Sequence, residues 1–408
     1  MARKSFLHGR FAHKERGPTR RTQMAEHHIR EFLIKITKYC NLRCTYCNEY
    51  SELHLNERMS LKIIREFFQK IADGVGPSQS DQIIFIWHGG EPFLVPLDYY
   101  AAIGEMQREI FQDKIPIVNG VQTNLTVLTD RHIKFLKSKQ FFTRLGISFD
   151  PYGDQRVDLR GELRTEIVLS NIQKLIDHKI EFGAITVLAR NTAPYARRIY
   201  QFYDRLKVRC KFVPFYLSSF DQQISDHALS YEEIVNSLNE IFDAWISSRT
   251  ATPVEPLDDY LDYAIAYTAG RRDFRFDREA NEYSVIVNLD GGVWAPNDTY
   301  VDEYKYGDLS REDLNEIFNS RNRRIVIEQS RKRQSDHCGH CRYFGACPGN
   351  YVAEASPQQQ ELLAVQGCPV QAVVNHIVET LDRTKLSDSV LMCANSNASR
   401  NISVAHAG

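Results

Sequence analysis

From residue 31 to about 216, short apolar runs and longer amphipathic stretches take turns along the chain. EFLIKIT, QIIFIW, PIVNGVQ, RLGISF, FGAITVL and CKFVPFY are rich in β-branched and aromatic residues and bounded by polar turns, which predicts strands. Between them, MSLKIIREFFQKIADGV, RHIKFLKSK, TEIVLSNIQKLIDHK and APYARRIYQFYDRL place apolar residues at helical spacing. Alternating β and α units predict a parallel sheet with helices outside it. Six such units make a partial (β/α)6 TIM-like barrel, assigned here to 29–225. Chemistry in that architecture collects at the C-terminal ends of the strands.

The pattern changes past residue 225. SYEEIVNSLNEIFDAWISS and LDDYLDYAIAYTA predict a helical bridge over 226–283, joined by TATPVEP. EYSVIVNLDGGVWAPN predicts two strands around a tight Asp-Gly-Gly turn, opening a small α+β domain over 284–380. Residues 381–408 form a polar tail. The stretch MARKSFLHGRFAHKERGPTRRTQ is basic and aperiodic, which predicts a disordered arm over 1–28, or upstream sequence if translation starts at Met24.

Composition narrows the picture. At 408 residues the chain fits two or three modules around one large core. A formal net charge of -1 gives no electrostatic case for nucleic acid or an anionic membrane as partner. No run of about 18 apolar residues spans a bilayer, and no signal-peptide core follows the basic N-terminus. The expectation is a soluble cytoplasmic protein.

The nine cysteines are unevenly placed. Cys40, Cys44 and Cys47 crowd together behind the first strand, and Cys338, Cys341, Cys347 and Cys368 gather near the C-terminus. Cys210 and Cys393 stand apart. Tight clusters in a large chain without secretory features argue for metal rather than disulfides. Three thiolates in one loop leave a coordination position open, either on zinc or on one iron of a four-iron cluster. Four thiolates close a site; on spacing alone that reads as structural zinc. Other strand ends also carry polar residues: HGGEP (His88 to Pro92), QTN (Gln122 to Asn124), Ser148 with Asp150, and Val187 leading to Arg190 and Asn191.

CxxxCxxC after the first strand, Tyr46 before its last cysteine, and GGEP after the second strand together resemble the radical S-adenosylmethionine (SAM) superfamily over roughly residues 30 to 220. The resemblance implies that Cys40, Cys44 and Cys47 hold a four-iron, four-sulfur (4Fe–4S) cluster whose open iron binds SAM. It places Tyr46 near the adenine and Gly89, Gly90 and Glu91 at the methionine amino group. Asn124 joins the cofactor-binding set, Ser148 would contact the ribose, and Val187 would pack on adenine. Arg160 would pair with the SAM carboxylate, with Arg164 near enough in sequence to compete.

CGHCRYFGACPGN followed by Cys368 resembles the SPASM domain, with Cys338, Cys341, Cys347 and Cys368 as ligands of one auxiliary 4Fe–4S cluster. The full pattern has a further cysteine where this chain has Tyr351, and others around the glycine turn where EANEYSVIVNLD and GGVWAPND have none. The expectation is therefore a single-cluster, twitch-like variant. Asp298, beside the lost cysteine position, is a candidate general base, against a plain exposed turn aspartate. Cys393 is a candidate mobile thiol. Tyr260, Tyr263 and Tyr267 read as core rather than radical relays.

The resemblance implies reductive cleavage of SAM to a 5′-deoxyadenosyl radical and oxidative modification of a substrate. A crosslink between side chains of a ribosomally made precursor peptide is the favoured reaction. Thirty residues precede the first strand, too few for a fused winged-helix recognition domain, so a separate recognition protein or the 226–283 region would bind a leader. A flavodoxin- or ferredoxin-type reductant is the implied electron donor. Alternatives are a sugar or cyclitol dehydrogenase, a sulfatase-maturation-like enzyme, and a zinc-stabilised scaffold without activity. Metal analysis after anaerobic purification separates these: about eight irons with matching sulfide are expected for two four-iron clusters. Stoichiometric zinc with negligible iron would leave only the scaffold.

Overall fold

The computed structural model describes residues 29–47, 49–74, 82–215, 225–296 and 301–384. The basic arm, Asp298 and Cys393 lie outside the described residues. Strand and helix alternate through the first half: β1 (Glu31–Thr37), α1 (Leu61–Gly74), β2 (Ile83–Gly89), α2 (Leu97–Phe111), β3 (Ile117–Thr123), α3 (Asp130–Ser138), β4 (Phe142–Ser148), α4 (Thr165–Asp177), β5 (Gly183–Leu188), α5 (Ala196–Leu206) and β6 (Cys210–Pro214). There follow α6 (Tyr231–Ser247), a two-residue β7 (Val254–Glu255), α7 (Leu257–Thr268) and α8 (Arg278–Asn281). The C-terminal part holds β8 (Ser284–Val287), β9 (Gly292–Trp294), β10 (Lys305–Asp308), α9 (Leu314–Phe318), α10 (Arg321–Cys338), α11 (Asn350–Ala353), α12 (Pro357–Gln366) and α13 (Pro369–Thr384).

All the described strands join one sheet in the order β10-β9-β8-β1-β2-β3-β4-β5-β6-β7. β1 to β7 pair in parallel, as the alternating pattern predicts. The C-terminal hairpin does not build a sheet of its own. β8 lies parallel against β1, with Glu31 opposite Ser284 and Leu33 opposite Ile286, and β9 and β10 add antiparallel beyond it. The free edge of β1 is covered this way, which sequence distance conceals.

Side chains alternate across the sheet with period two. Phe32, Phe85 and Trp87 face the helices, where Phe32 meets Phe67 at 5.2 Å, Phe85 meets Phe68 at 5.0 Å and Trp87 meets Phe141 at 5.6 Å. α1 reaches this layer through Ile64, Phe67, Phe68 and Ile71, the three-and-four spacing of one helical face. The opposite parity, including Leu33, Lys35, His88, Gln122 and Ser148, faces the barrel interior. Thr129, Ser230 and Ser356 close capping boxes that fix where α3, α6 and α12 begin.

A buried ion network ties the hairpin to the helices behind it. Arg323 Nε lies 2.9 Å from Glu282 Oε2, Arg278 Nη1 lies 3.2 Å from Glu282 Oε1, and the Tyr306 hydroxyl donates to Glu282 Oε1 at 2.6 Å. Arg278 also reaches Glu354 beside α11 at 3.4 Å. Removing the shared carboxylate takes from Arg323 the one carboxylate it pairs with among the described residues and leaves Arg278 with Glu354 alone, a loss of about 3–5 kcal/mol for a broken buried pair. Glu282→Ala is expected to lower urea-unfolding stability by that amount. A change below about 1 kcal/mol would show that the network carries no such load.

Candidate active site

The loop after β1 is held from two sides by its backbone. Cys40 donates to the Leu53 carbonyl at 3.1 Å, Arg43 to Val157 at 2.7 Å and Thr45 to Gln155 at 3.2 Å. The segment after β2 packs directly against it. A Cβ on Gly89 would stand 2.3 Å from the Thr37 carbonyl, and one on Gly90 2.2 Å from that of Tyr39. The Gly90 and Glu91 amides donate to those same two carbonyls at 2.7 and 2.8 Å. Gly89 has a φ of 105°, open to glycine. The missing side chains are therefore used first to seat the cysteine loop on the strand end.

Together the two segments frame a cavity of about 220 Å³ at the C-terminal ends of the strands. Cys40, Cys44, Cys47, Tyr46, Gly89, Gly90, Asn124, Ser148 and Val187 all line it. Asn124 Nδ2 lies 3.6 Å from Cys40 Sγ. The Gln122 amide donates to Ser148 Oγ at 2.8 Å. Gly146 leaves the room that amide needs, because a Cβ there would sit 2.0 Å from Gln122 Oε1.

Two expected residues are placed differently. Glu91 is buried and does not line the cavity. It accepts from Thr123 Oγ1 at 2.6 Å and from the amides of Asn124 at 2.6 Å and Phe93 at 2.8 Å, so it anchors the neighbouring strand end. Burial pushes its titration up to about 7 despite those donors. Arg160 is exposed and outside the cavity, its amide donating to Asp158 Oδ1 at 2.8 Å. Arg164 pairs with Asp158 and Glu162.

The arginine inside is Arg156. It lies 2.9 Å from Asp150, 5.5 Å above the Tyr46 ring and 3.9 Å from Cys44 Sγ. Asp150 also accepts from the Tyr46 hydroxyl at 2.9 Å and from the Val187 amide at 2.8 Å. One carboxylate thus joins the cysteine loop to the ends of β4 and β5. The resemblance pointed to Arg160, with Arg164 as competitor, and nothing local distinguishes these from Arg156; only Asp150, six residues before Arg156, hints at a pair.

Sequence reasoning also missed three polar residues that line the cavity. Lys35 and Glu49, both buried, form an ion pair of 2.6 Å on the cavity. His88, opposite Lys35 in the β1–β2 register, lies with Nδ1 3.4 Å from Lys35 Nζ. The Gly89 amide donates to Nδ1 at 2.7 Å, which places the imidazole proton on Nε2. Nε2 has no hydrogen-bond partner among the described residues. The available signal was a lysine in the apolar run EFLIKIT, at the inward parity of Leu33.

The cysteines need a cation. Burial, followed by the nearby Glu91 carboxylate, pushes the Cys40 thiol up to about 12, and burial also raises Cys44 and Cys47. Cys338, Cys341, Cys347 and Cys368 line a second, apolar pocket of about 20 Å³ with Tyr351. Burial and their mutual repulsion push Cys338 and Cys347 to about 12; burial leads the rise of Cys368 to about 11. Thiolates so placed call for iron or another metal to carry the balancing charge. Among the described residues, no three His, Cys, Asp or Glu side chains converge on one metal ion.

Residues 34–203 match the family model described as the radical SAM superfamily, and 279–342 that of the SPASM iron–sulfur cluster-binding domain. A cysteine-type anaerobic sulfatase-maturating enzyme of Clostridium novyi is 26% identical over 317 residues, 76% of this chain and 83% of that protein. A serine-type enzyme of Bacteroides thetaiotaomicron is 24% identical over 335 residues, covering 76% and 79%. Native anSMEcpe with bound AdoMet and Cp18Cys peptide matches with a TM-score of 0.69 at 19% identity, over 88% of this chain and 99% of that one. Streptococcus suis SuiB bound to precursor peptide SuiA matches with a TM-score of 0.54 at 15% identity, over 81% and 74%. At those identities the structural matches show a shared fold. No helix among the described residues is long and apolar enough to cross a membrane.

The buried wall gives a pH prediction. Burial, then Lys35, pushes His88 down to about 3 from its ordinary 6.5. Between those values the unfolded chain takes up the proton first, so stability falls as pH drops through the window. His88→Gln is expected to flatten that part of the stability profile, read by urea unfolding at stepped pH. Identical wild-type and variant profiles would contradict a neutral buried imidazole.

Proposed function

We propose that this chain, which carries a radical SAM domain followed by a SPASM domain, oxidatively modifies side chains of a peptide substrate, joining two of them by a crosslink. The observation that carries the reading is one cavity lined by the three-cysteine loop and, beside it, by Lys35, Glu49 and His88. Cys40, Cys44 and Cys47 would hold the SAM-binding cluster, and Cys338, Cys341, Cys347 and Cys368 the auxiliary one. With an electron from a flavodoxin- or ferredoxin-type donor, cluster and SAM supply hydrogen-atom abstraction, chemistry no side chain offers.

The chain's own residues would then position and exclude. Asn124 steadies Cys40, and the backbone beside Gly89 and Gly90 would face the SAM amino group. Arg156, in place of Arg160, would offer the cation for its carboxylate, with Asp150 fixing the guanidinium. Ser148, Tyr46 and Val187 would bound the nucleoside side. His88 Nε2–H, without a hydrogen-bond partner among the described residues, would donate to a substrate oxygen, while Leu33 and Ile286 line the cavity with apolar surface. The chain reaches the cavity at Pro296, two residues before Asp298, which remains the proposed base.

Two peptide-bound structures of this fold support a peptide substrate over a sugar. The curated relatives favour a second reading, oxidation of a single cysteine or serine in a protein. Tyr351 at a cysteine position of the full SPASM pattern, with no cysteine among described residues 282–296, supports the crosslink instead.

Mass spectrometry of a candidate precursor and of a cysteine-containing sulfatase peptide, each incubated anaerobically with SAM and reductant, tests this. The crosslink predicts a precursor lighter by a pair of hydrogens, with methionine and 5′-deoxyadenosine formed alongside, and Cys44→Ala abolishing all three. Exchange of sulfur for oxygen in the cysteine peptide would replace the crosslink reading with the second one.

A further inference from the structure

The segment between α7 and α8 runs along the loop that carries the second cysteine set. The Phe274 amide donates to the Gly345 carbonyl at 3.1 Å and that of Phe276 to Pro348 at 2.9 Å. Gly345 permits this contact: its φ is 94°, and a Cβ would meet the Arg272 carbonyl at 2.7 Å. Arg271, Arg272 and Arg275 on this segment, and Arg342 on the cysteine loop, are all exposed. Asp273 and Asp262 offset part of that charge; Arg271 acts on Asp262.

Three of these arginines lie over aromatic rings. Arg275 lies 4.5 Å over Phe344, Arg272 4.3 Å over Tyr267 and Arg342 4.8 Å over Tyr343. Phe344 and Tyr343 in turn line the pocket of the four cysteines. Phe274 stands 54% exposed in the middle of this basic segment. Cys341, Cys347 and Cys368 are themselves only partly buried. An aromatic, arginine-rich surface thus sits one ring away from the second cysteine set.

We infer that this surface docks an acidic one-electron carrier protein, of the flavin or iron–sulfur class, which exchanges electrons with the auxiliary centre. The inference rests on the reading of Cys338, Cys341, Cys347 and Cys368 as cluster ligands. Net positive charge steers an acidic partner and sets the approach rate. The ring-stacked guanidiniums spend little side-chain freedom on docking, and exposed Phe274 gives the contact an apolar centre. In the exchange the carrier gains the single electron that the cysteine-held centre gives up. No proton has to cross the surface.

The test uses full-length protein with Cys40, Cys44 and Cys47 changed to Ala, so that only the auxiliary centre remains, and wild-type holoenzyme beside it. Iron and sulfide content first establishes that the auxiliary cluster is present; its absence there would refute the ligand reading, and the docking inference with it. The protein is reduced, freed of reductant and mixed with oxidised bacterial flavodoxin, and semiquinone formation is followed by stopped flow. The rate constant is expected to fall steeply with added salt. Arg271→Glu with Arg275→Glu should lower it about tenfold or more at low salt and flatten the salt dependence. The same positions changed to Lys should keep most of the rate, and a small uncharged mediator should react equally with all variants. Overturning results are a cluster-loaded protein that does not react with flavodoxin, a salt-independent rate, an unaffected Glu variant, or a Lys variant as slow as the Glu one.

Discussion

The close approach of Gly89 and Gly90 to the carbonyls of Thr37 and Tyr39 is the contact on which the rest of the site depends. It locks the cysteine loop onto the end of the neighbouring strand with backbone alone, where any side chain would collide. Once seated, the loop puts Cys40 beside Asn124 and Cys44 beside Arg156. Glu91, next in sequence, completes the joint by binding the Thr123–Asn124 strand end. The two glycines thus serve the architecture before any bound group is considered.

Charge is the second constraint. The interior holds carboxylates, guanidiniums and seven clustered cysteines, and most are shielded from water. Asp150 meets Arg156, and Lys35 meets Glu49, while burial raises the thiols of Cys40, Cys44 and Cys47 and so disfavours their charged form. A buried ion pair adds little to stability over an apolar substitute. The two pairs facing the cavity are therefore better understood as fixed polarity for whatever binds there.

Much of the fold was legible in the sequence because each strand is short, β-branched and bounded by polar turns. All six predicted strands form and pair in parallel, and the cysteine clusters fall at two separate pockets. What stayed hidden involves distance along the chain. Nothing local in EYSVIVNLD says that β8 joins β1, some two hundred and fifty residues earlier, and the two-residue β7 is too short for a period to show. Lys35, Glu49 and His88 come from three segments, and no spacing rule connects them. Arg156 could not be told from Arg160 until burial separated them. The residues predicted from loop ends line the cavity where a strand or the cysteine loop aims them; Glu91 and Arg160 leave it because backbone and carboxylate partners hold them elsewhere.

The pairing of β8 with β1 also bears on how the chain is made. During synthesis β1 emerges first, yet one of its edges finds its partner only after residue 287 has left the ribosome. Until then a run of seven residues, fully buried in the finished protein, presents open amide and carbonyl groups to any neighbouring chain. The cysteine loop hangs from the end of that same strand. Its scaffold is complete only when the last part of the sheet arrives, which couples assembly of the N-terminal site to completion of the C-terminal half. Such long-range closure slows folding and makes a truncated product a hazard for aggregation rather than a smaller working enzyme.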